Sequence, residues 1–124
     1  MILVDTSVWI DHFRQGLQPL SELLETNSVL MHPYVLGELA CGNLRSRQET
    51  LRLLENLPAA PSASDSEVFQ FIALHRLMGK GIGFVDAHLL AATSLAADAK
   101  LWTHDKRLSE VARKLKLGYE VRIN

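Results

Sequence analysis

Short apolar runs alternate with longer amphipathic stretches along the whole chain. The runs at 2–4, 28–31 and 100–103 are mainly Val, Ile, Leu, Met and Trp, which predicts strands buried on both faces of a sheet. Residues 59–61 and the alternating stretch 119–123 predict two weaker strands. Because strands and helices alternate, we expect a mostly parallel sheet of about five strands between two helical layers, a three-layer α/β/α fold.

Helix signals separate these runs. Pro19 and Pro33 stand where helices begin, Gly16 stands where one ends, and Pro58 follows the end of another. The predicted helices span residues 6–14, 20–25, 33–42, 46–57, 64–78, 84–97 and 106–116. Since the chain has no repeat, linker or low-complexity stretch, we expect a single domain over residues 1–124.

Composition and charge narrow the possible functions. The 13 Lys and Arg residues and 14 Asp and Glu residues give a formal net charge of −1, which does not indicate a strongly basic nucleic-acid binder. The single Cys41 cannot form an internal disulfide and is consistent with a reducing compartment. Since the sequence shows no secretory leader and no apolar run of membrane-spanning length, we expect a cytoplasmic protein without membrane contact.

Four carboxylates interrupt the apolar pattern. Asp5 and Asp105 directly follow predicted strands, so both belong at the carboxyl edge of the sheet, where open α/β folds bind ligands. Asp86 lies in the first turn of a helix whose preceding loop can reach the same edge. Glu38 stands inside an otherwise apolar helix, where a buried Glu needs a partner.

If these four acids converge, they repel one another unless a cation binds between them. Oxygen-only clusters suit Mg²⁺ or Mn²⁺ better than zinc, and a carboxylate-held Mg²⁺ that keeps several waters suits phosphate substrates. Spacing alone does not establish that the acids converge. The alternative for Asp5 is a plain helix cap, because Thr6 and Ser7 lead directly into a helix.

The motifs that carry the four acids resemble the PIN domain, and specifically the VapC toxins of bacterial toxin–antitoxin pairs. They are Leu3-Val4-Asp5-Thr6-Ser7-Val8-Trp9-Ile10, Leu36-Gly37-Glu38-Leu39, Phe84-Val85-Asp86-Ala87-His88-Leu89-Leu90-Ala91 and Trp102-Thr103-His104-Asp105. Each motif alone is weak, whereas four in order, each with its acid, are specific. The family's pattern often has an aromatic residue three positions after the fourth acid, where this chain has Leu108.

The resemblance implies a PIN-like fold with a five-stranded parallel sheet and a metal-dependent endoribonuclease activity. It implies that the catalytic and metal-binding residues, gathered around Mg²⁺ or Mn²⁺, are Asp5, Glu38, Asp86 and Asp105. Asp5 and Asp86 are the expected direct ligands, and for Glu38 and Asp105 action through water is the alternative to direct binding. A metal-activated water would then attack the phosphate, with Glu38 orienting it or accepting its proton, to leave 5′-phosphate and 3′-hydroxyl ends.

The resemblance also implies three partners. They are an RNA substrate, a small VapB-like antitoxin with a segment lying across the acidic groove, and a second copy of the chain. Leu24, Leu36, Leu44 and Leu51 give the helices more apolar surface than one small sheet face needs, which also favours a homodimer.

Other polar residues have two interpretations each. Thr6, Ser7 and Thr103 either hydrogen-bond the ligand carboxylates or cap helices. His104 is expected in a structural or solvent role, with RNA contact as the alternative, and Asp11 is either a surface residue or a support for the acids. Six basic residues line either an RNA path or a solvated surface: Arg45, Arg47, Arg76, Lys80, Lys106 and Arg107.

Two other functions fit parts of the sequence. One is phosphoryl transfer through an aspartyl phosphate on Asp5. It is weakly supported, because dehalogenase-like phosphatases place a second Asp two residues on and a Thr two beyond it, where this chain has Ser7 and Trp9. The other is a non-catalytic interaction module that keeps the fold, and the presence of all four acids argues against it.

Overall fold

The structure of the protein is a computed structural model that describes residues 1–121. In chain order its elements are β1 Ile2–Val4, α1 Thr6–Gln15, α2 Gln18–Glu25, β2 Val29–Leu30, α3 Pro33–Ala40, α4 Arg47–Glu55, α5 Asp65–His75, α6 Phe84–Leu95, β3 Lys100–Trp102 and α7 Lys106–Lys114. Each predicted helix is present, with ends that differ by up to three residues. None of these helices has the length and apolar character that crossing a membrane requires.

The three strands form a parallel sheet in the order β2-β1-β3. The central strand is β1, in which Ile2 pairs with Val29 on one side and with Lys100 on the other, and Leu3 is fully buried. A parallel strand that is paired at both edges and covered on both faces must be apolar throughout, so no polar residue precedes Asp5 in β1. The carboxyl ends of β1 and β3 consequently lie side by side.

Within residues 1–121 the sheet has three strands rather than about five. One predicted edge strand is reduced to a single bridge. Ala59 pairs in parallel with Met31, just beyond the end of β2. The Met31 N–H donates to the carbonyl of Pro58 at 2.8 Å, and the Ala60 N–H donates to the carbonyl of Met31 at 2.9 Å. Pro58 has no N–H group to donate to Val29, and Pro33 has none at the next pairing position beyond Met31, so this ladder is interrupted in both directions.

The other predicted edge strand, residues 119–123, is replaced by a single bridge one residue earlier. Gly118 pairs with Leu101, which donates to the carbonyl of Leu117 at 2.7 Å and accepts from the Tyr119 N–H at 2.8 Å. The end of that predicted strand lies outside the described residues. The two bridges lie on opposite edges of the sheet and continue its parallel pairing.

The fifth helix, α5, ends three residues before its predicted end. Arg76 adopts the left-handed conformation, with φ at 54°, and stops the helix after His75. The prediction extended to Met78 because Leu77 continues the apolar spacing. Leu77 is indeed buried, but it reaches the core from the loop that leads to α6.

The sixth helix, α6, lies against the sheet with seven consecutive residues buried, from Ala87 to Thr93. It packs against β3 and α5, and its small alanines allow that close approach. Asp86 directly precedes this buried run. The packing of α6 therefore sets the position of the Asp86 carboxylate.

Candidate active site

Asp5 lies at the carboxyl end of β1 and is buried, with 7% of its surface exposed. Its Oδ2 accepts hydrogen bonds from the hydroxyls of Ser7 and Thr103, each at 2.7 Å. Although Asp5 stands at the N-cap position of α1, its side chain makes no capping hydrogen bond. The interpretation of this carboxylate as a plain helix cap is therefore wrong.

The two hydroxyls that hold Asp5 also join α1 to the end of β3. Ser7 Oγ accepts the backbone N–H of His104 at 3.0 Å, and Thr103 Oγ1 accepts that of Asp105 at 3.0 Å. Each hydroxyl thus donates to one carboxylate and accepts from the β3–α7 loop. For Ser7 and Thr103, contact with a carboxylate is the correct interpretation.

Glu38 is exposed on α3, and its Oε1 accepts a hydrogen bond from the hydroxyl of Thr6 at 2.7 Å. The buried side of α3 is formed by Val35 and Leu39. Glu38 therefore has the partner expected for it but is not buried. Its contact with Thr6 places its carboxylate next to the residue that follows Asp5.

Asp86 and Asp105 each use one carboxylate oxygen to close a helix end. Asp86 Oδ2 accepts the N–H of Gly83 at 3.0 Å, and Asp105 Oδ1 accepts the N–H of Leu108 at 2.9 Å. Within the described residues, the second oxygen of each carboxylate has no hydrogen-bond partner. Both side chains are thus fixed at one oxygen and available at the other.

The electrostatics of Asp86 connect the four acids. Burial raises the pKa of Asp86 above its ordinary value, the hydrogen bond from Gly83 opposes that shift, and the charges of Asp5, Asp105 and Glu38 raise the pKa further. Because charge–charge interactions weaken with distance, all three acids lie near enough to act on Asp86. Within residues 1–121, none of the four carboxylates forms an ion pair with Lys, Arg or His.

The donor chemistry of this group fits a hard divalent cation. Its free groups are carboxylate oxygens, which suit Mg²⁺ or Mn²⁺ and not a zinc site built on His and Cys. In the part of the chain that the structure describes, no three Asp, Glu, His or Cys side chains are drawn together tightly enough to enclose an ion. An open arrangement of this kind fits Mg²⁺, which is commonly bound through one or two carboxylates and keeps several waters.

Two His–Asp pairs of the structure were not predicted. His104 Nδ1 lies 2.5 Å from Asp11 Oδ2, which joins the β3–α7 loop to α1. His88 Nε2 lies 2.9 Å from Asp65 Oδ1, which joins α6 to α5. The partners are 93 and 23 residues apart in sequence, so no local spacing could have indicated either pair.

Comparisons with known proteins show the family and the fold of the chain. The family model of the PIN domain matches residues 2–114. Two curated proteins named Ribonuclease VapC32, from two strains of Mycobacterium tuberculosis, are each 47% identical over 108 residues, which covers 87% of this chain and 87% of each relative. The solved structure of PAE2754 from Pyrobaculum aerophilum has a TM-score of 0.64 at 15% identity and covers 95% of this chain and 87% of that one, so it shows the shared fold alone. The chain belongs to the PIN-domain family, and its resemblance to the VapC ribonucleases is confirmed.

Proposed function

We propose that this protein is a metal-dependent endoribonuclease and the toxin of a toxin–antitoxin pair. The observation that carries the proposal is the position of Asp86, close enough to Asp5, Asp105 and Glu38 for their charges to act on it, with none of the four paired to a cationic side chain in the described residues. The similarity to ribonucleases of the VapC type over most of the chain supports RNA as the substrate. The reducing compartment that Cys41 suggests is consistent with action in the cytoplasm, where RNA is available.

The residues proposed to hold Mg²⁺ or Mn²⁺ are Asp5 and Asp86 directly, with Glu38 and Asp105 acting through water. Asp5 supports this assignment because both of its hydroxyl donors occupy Oδ2, which leaves Oδ1 for a cation. Asp86 supports it because its raised pKa reflects burial beside three other acids, a situation that a bound cation relieves. When bound, the ion would lower the pKa of a water ligand and polarise the scissile phosphate.

The side chains of the protein would position the reacting groups. Ser7 and Thr103 hold the Asp5 carboxylate in one orientation, which preserves the spacing of the site during the reaction. Glu38 is exposed and held at one oxygen by Thr6, so its other oxygen can orient the attacking water and accept its proton. Attack by water in line with the leaving oxygen leaves a 5′-phosphate and a 3′-hydroxyl, and the RNA 2′-hydroxyl takes no part.

The proposed antitoxin has a suitable surface beside the acids. A groove of about 610 Å³ runs between α1 and the α3–α4 region and includes Glu38. Its apolar side chains include Ile10 and Phe13, which are 45% and 43% exposed. A helix or strand with apolar anchors and one Arg or Lys would fill this groove and place a cation beside Glu38, which is how we propose that the toxin is silenced in its own cell.

A homodimer is also proposed, on different residues from those that suggested it. Of the four leucines that suggested it, Leu24, Leu36 and Leu51 are partly buried against the core of the same chain, and Leu44 lines the groove that includes Glu38. Two apolar side chains of α5 are more exposed, because Leu74 is 77% exposed and Phe69 is 61% exposed. Sedimentation that shows a monomer at micromolar concentration would count against the dimer.

The experiment that tests the activity is cleavage of a labelled single-stranded RNA with Mg²⁺ and with EDTA. We expect metal-dependent cutting by the parent protein and loss of cutting by orders of magnitude in Asp5→Asn. Asp98→Asn is the matched control. Asp98 is an exposed acid in the left-handed conformation, with φ at 57°, which Asn adopts readily, and it should cut like the parent. Equal cutting by Asp5→Asn, or trapping of a phosphoryl group on Asp5, would reject the proposal.

A further inference from the structure

A second cavity, of about 210 Å³, lies between the end of α5, the 79–83 loop and α7. Four of its lining residues are cationic: Arg76, Lys80, Arg107 and Lys114. All four are exposed, whereas Leu77 and Val111, which also line the cavity, are buried. The cavity therefore has apolar side chains at its base, against which the aliphatic parts of the long cations can lie, and charged groups around its rim.

The charge of this cavity stands out against that of the chain. Four cations and the single acid Glu110 give its lining a formal charge of +3 with His75 neutral, whereas the whole chain has a net charge of −1. Glu110 does not neutralise the cations, because no Lys or Arg within residues 1–121 forms an ion pair. Cations that outnumber the acids around one concave site attract an anion.

The cavity is built from the elements that carry two of the four acids, the loop before Asp86 and the helix that begins after Asp105. Arg107 follows Asp105 by two residues and lies across Gly81, since a Cβ atom added at Gly81 would come within 2.4 Å of Arg107 Cδ. Gly81 has φ at 81° and lies two residues before Gly83, the residue that donates to Asp86. The loop that positions Asp86 and the helix that Asp105 caps thus form two walls of the cationic cavity.

We propose that this cavity binds a phosphate of the RNA strand other than the scissile one, on the Asp86 and Asp105 side of the cleavage site. The inference rests on the proposed function and deepens it. Four carboxylates repel a polyanionic strand, so the affinity for RNA has to come from cations outside the acid group. The cationic cavity supplies them next to the place where the strand must pass.

The test measures cleavage of a labelled single-stranded oligoribonucleotide in Mg²⁺ at several salt concentrations. Arg107→Gln and Lys80→Gln should each raise KM by about tenfold, with kcat changed by less than about twofold, because each removes one charged contact with phosphate. Each should also reduce the dependence of log KM on log salt by about 0.7. Arg113→Gln makes the same exchange on α7 outside the cavity, and it should leave KM and the salt dependence unchanged.

Separate measurements identify the bound phosphate and guard against misfolding. In the Asp5→Asn background, which cannot cut, fluorescence anisotropy should show the same loss of RNA affinity for Lys80→Gln, an exposed loop substitution. A loss confined to oligonucleotides with a 5′-terminal phosphate would overturn the assignment to an internal phosphate. If the parent cleaves RNA but Arg107→Gln and Lys80→Gln leave KM and its salt dependence unchanged, this inference alone is overturned. A parent that neither binds nor cleaves RNA would overturn the proposed function and this inference with it.

Discussion

Two of the buried polar side chains in the described part of the chain, Asp5 and His32, have opposite surroundings. Asp5, 7% exposed, receives two hydroxyl donors on a single oxygen. His32, 2% exposed, accepts the N–H of Tyr34 at Nδ1, while its Nε2 is buried without a partner in the described residues. Burial, with a smaller effect from the charge of His88, lowers the pKa of His32 from 6.5 to about 4.

The surroundings of Asp5 suit a charged side chain, whereas those of His32 suit a neutral, closely packed one. Donors aimed at a carboxylate oxygen stabilise a negative charge and fix its direction, which a cation-binding site requires. A buried imidazole with an unpartnered nitrogen is kept neutral, and its useful contribution is the N-cap of α3. Burial of a titratable group therefore does not by itself indicate function, whereas the number and direction of its donors do.

The largest expected effect comes from removing one charge from the acid group. Asp86→Asn keeps an acceptor oxygen for the Gly83 N–H, but it should lower the cleavage rate by about a hundredfold or more because a proposed metal ligand is lost. In EDTA the variant should melt at a higher temperature than the parent, since close like charges cost on the order of a few kcal/mol per pair. With Mg²⁺ the order should reverse, because the parent gains more binding free energy.

Two melting curves each for the parent and Asp86→Asn, with and without Mg²⁺, check this prediction. If Asp86 served only to close the α6 end, its replacement would lower stability or leave it unchanged, and the difference from the parent would not depend on metal. That result would remove Asp86 from the acid group.

The next effect concerns the neutral His32 and is measured as the change in stability with pH. Because the pKa of His32 is lowered in the folded state, the stability that depends on its neutral form is fully present above pH 6.5. That stability is lost as pH falls from 6.5 to about 4. Over that range the parent should lose about 3 kcal/mol of unfolding free energy through His32, since one pKa unit corresponds to about 1.4 kcal/mol. His32→Asn keeps an N-cap acceptor and cannot titrate, so its stability should fall less steeply.

Chemical denaturation of both chains at pH 7, 5.5 and 4 measures the difference in slope. The variant starts from a lower stability because a smaller side chain fills the site, so the comparison concerns the change with pH and not the absolute value. Parallel curves for the two chains would show that His32 is not held neutral by its surroundings.

The sequence predicted the centre of this fold better than its edges. The strands β1 and β3 follow from apolar runs, which are local signals. The bridge at Ala59 depends on where the chain between α4 and α5 comes to lie, and the early end of α5 depends on Arg76, a residue type that seldom takes the left-handed conformation. Both features depend on tertiary contacts, and the residue types at these positions do not indicate them.

For the candidate site, the sequence named the acids but not the contacts that hold them. Asp5 and Asp105 follow strands, so their common edge was expected from topology. The donors to Asp5 come from residues 2 and 98 positions away, and the Thr6–Glu38 bond spans 32 positions. Only the first of these lies within reach of a local pattern, which is why the hydroxyls had two open interpretations before the structure.

A smaller effect is expected from removing one of the two hydroxyl donors to Asp5. Thr103→Val keeps the shape of the side chain but removes the hydrogen bond to Asp5 and the acceptor for the Asp105 N–H. We expect cleavage to fall about tenfold, the lower end of what the loss of a ligand's hydrogen-bond partner does in metal sites. Thr93→Val is the matched control, because its buried hydroxyl donates to the carbonyl of Leu89, within α6 and away from the acids.

Initial cleavage rates at saturating RNA, with melting temperatures for both variants, separate the two roles. Both substitutions should cost stability, Thr103→Val more because it removes two hydrogen bonds and Thr93→Val removes one, but only Thr103→Val should slow the reaction. Equal activity of the two variants would mean that Ser7 alone holds Asp5.

The smallest effect is expected from the His104–Asp11 pair, which joins the same two elements as the Asp5 donors but from the solvent side. Both side chains are about one-third exposed, so the pair is screened and worth less than about 1 kcal/mol. Asp11→Asn should therefore lower the melting temperature slightly at low salt and not at high salt. The backbone N–H of His104, not its ring, bonds to Ser7, so the donors to Asp5 stay in place and the rate at saturating RNA should change by less than about twofold. Melting curves at two salt concentrations and one saturating rate are sufficient to test this. If the rate falls as far as in Thr103→Val, the His104 ring takes part in the reaction. The active site would then include a residue that does not contact Asp5 directly.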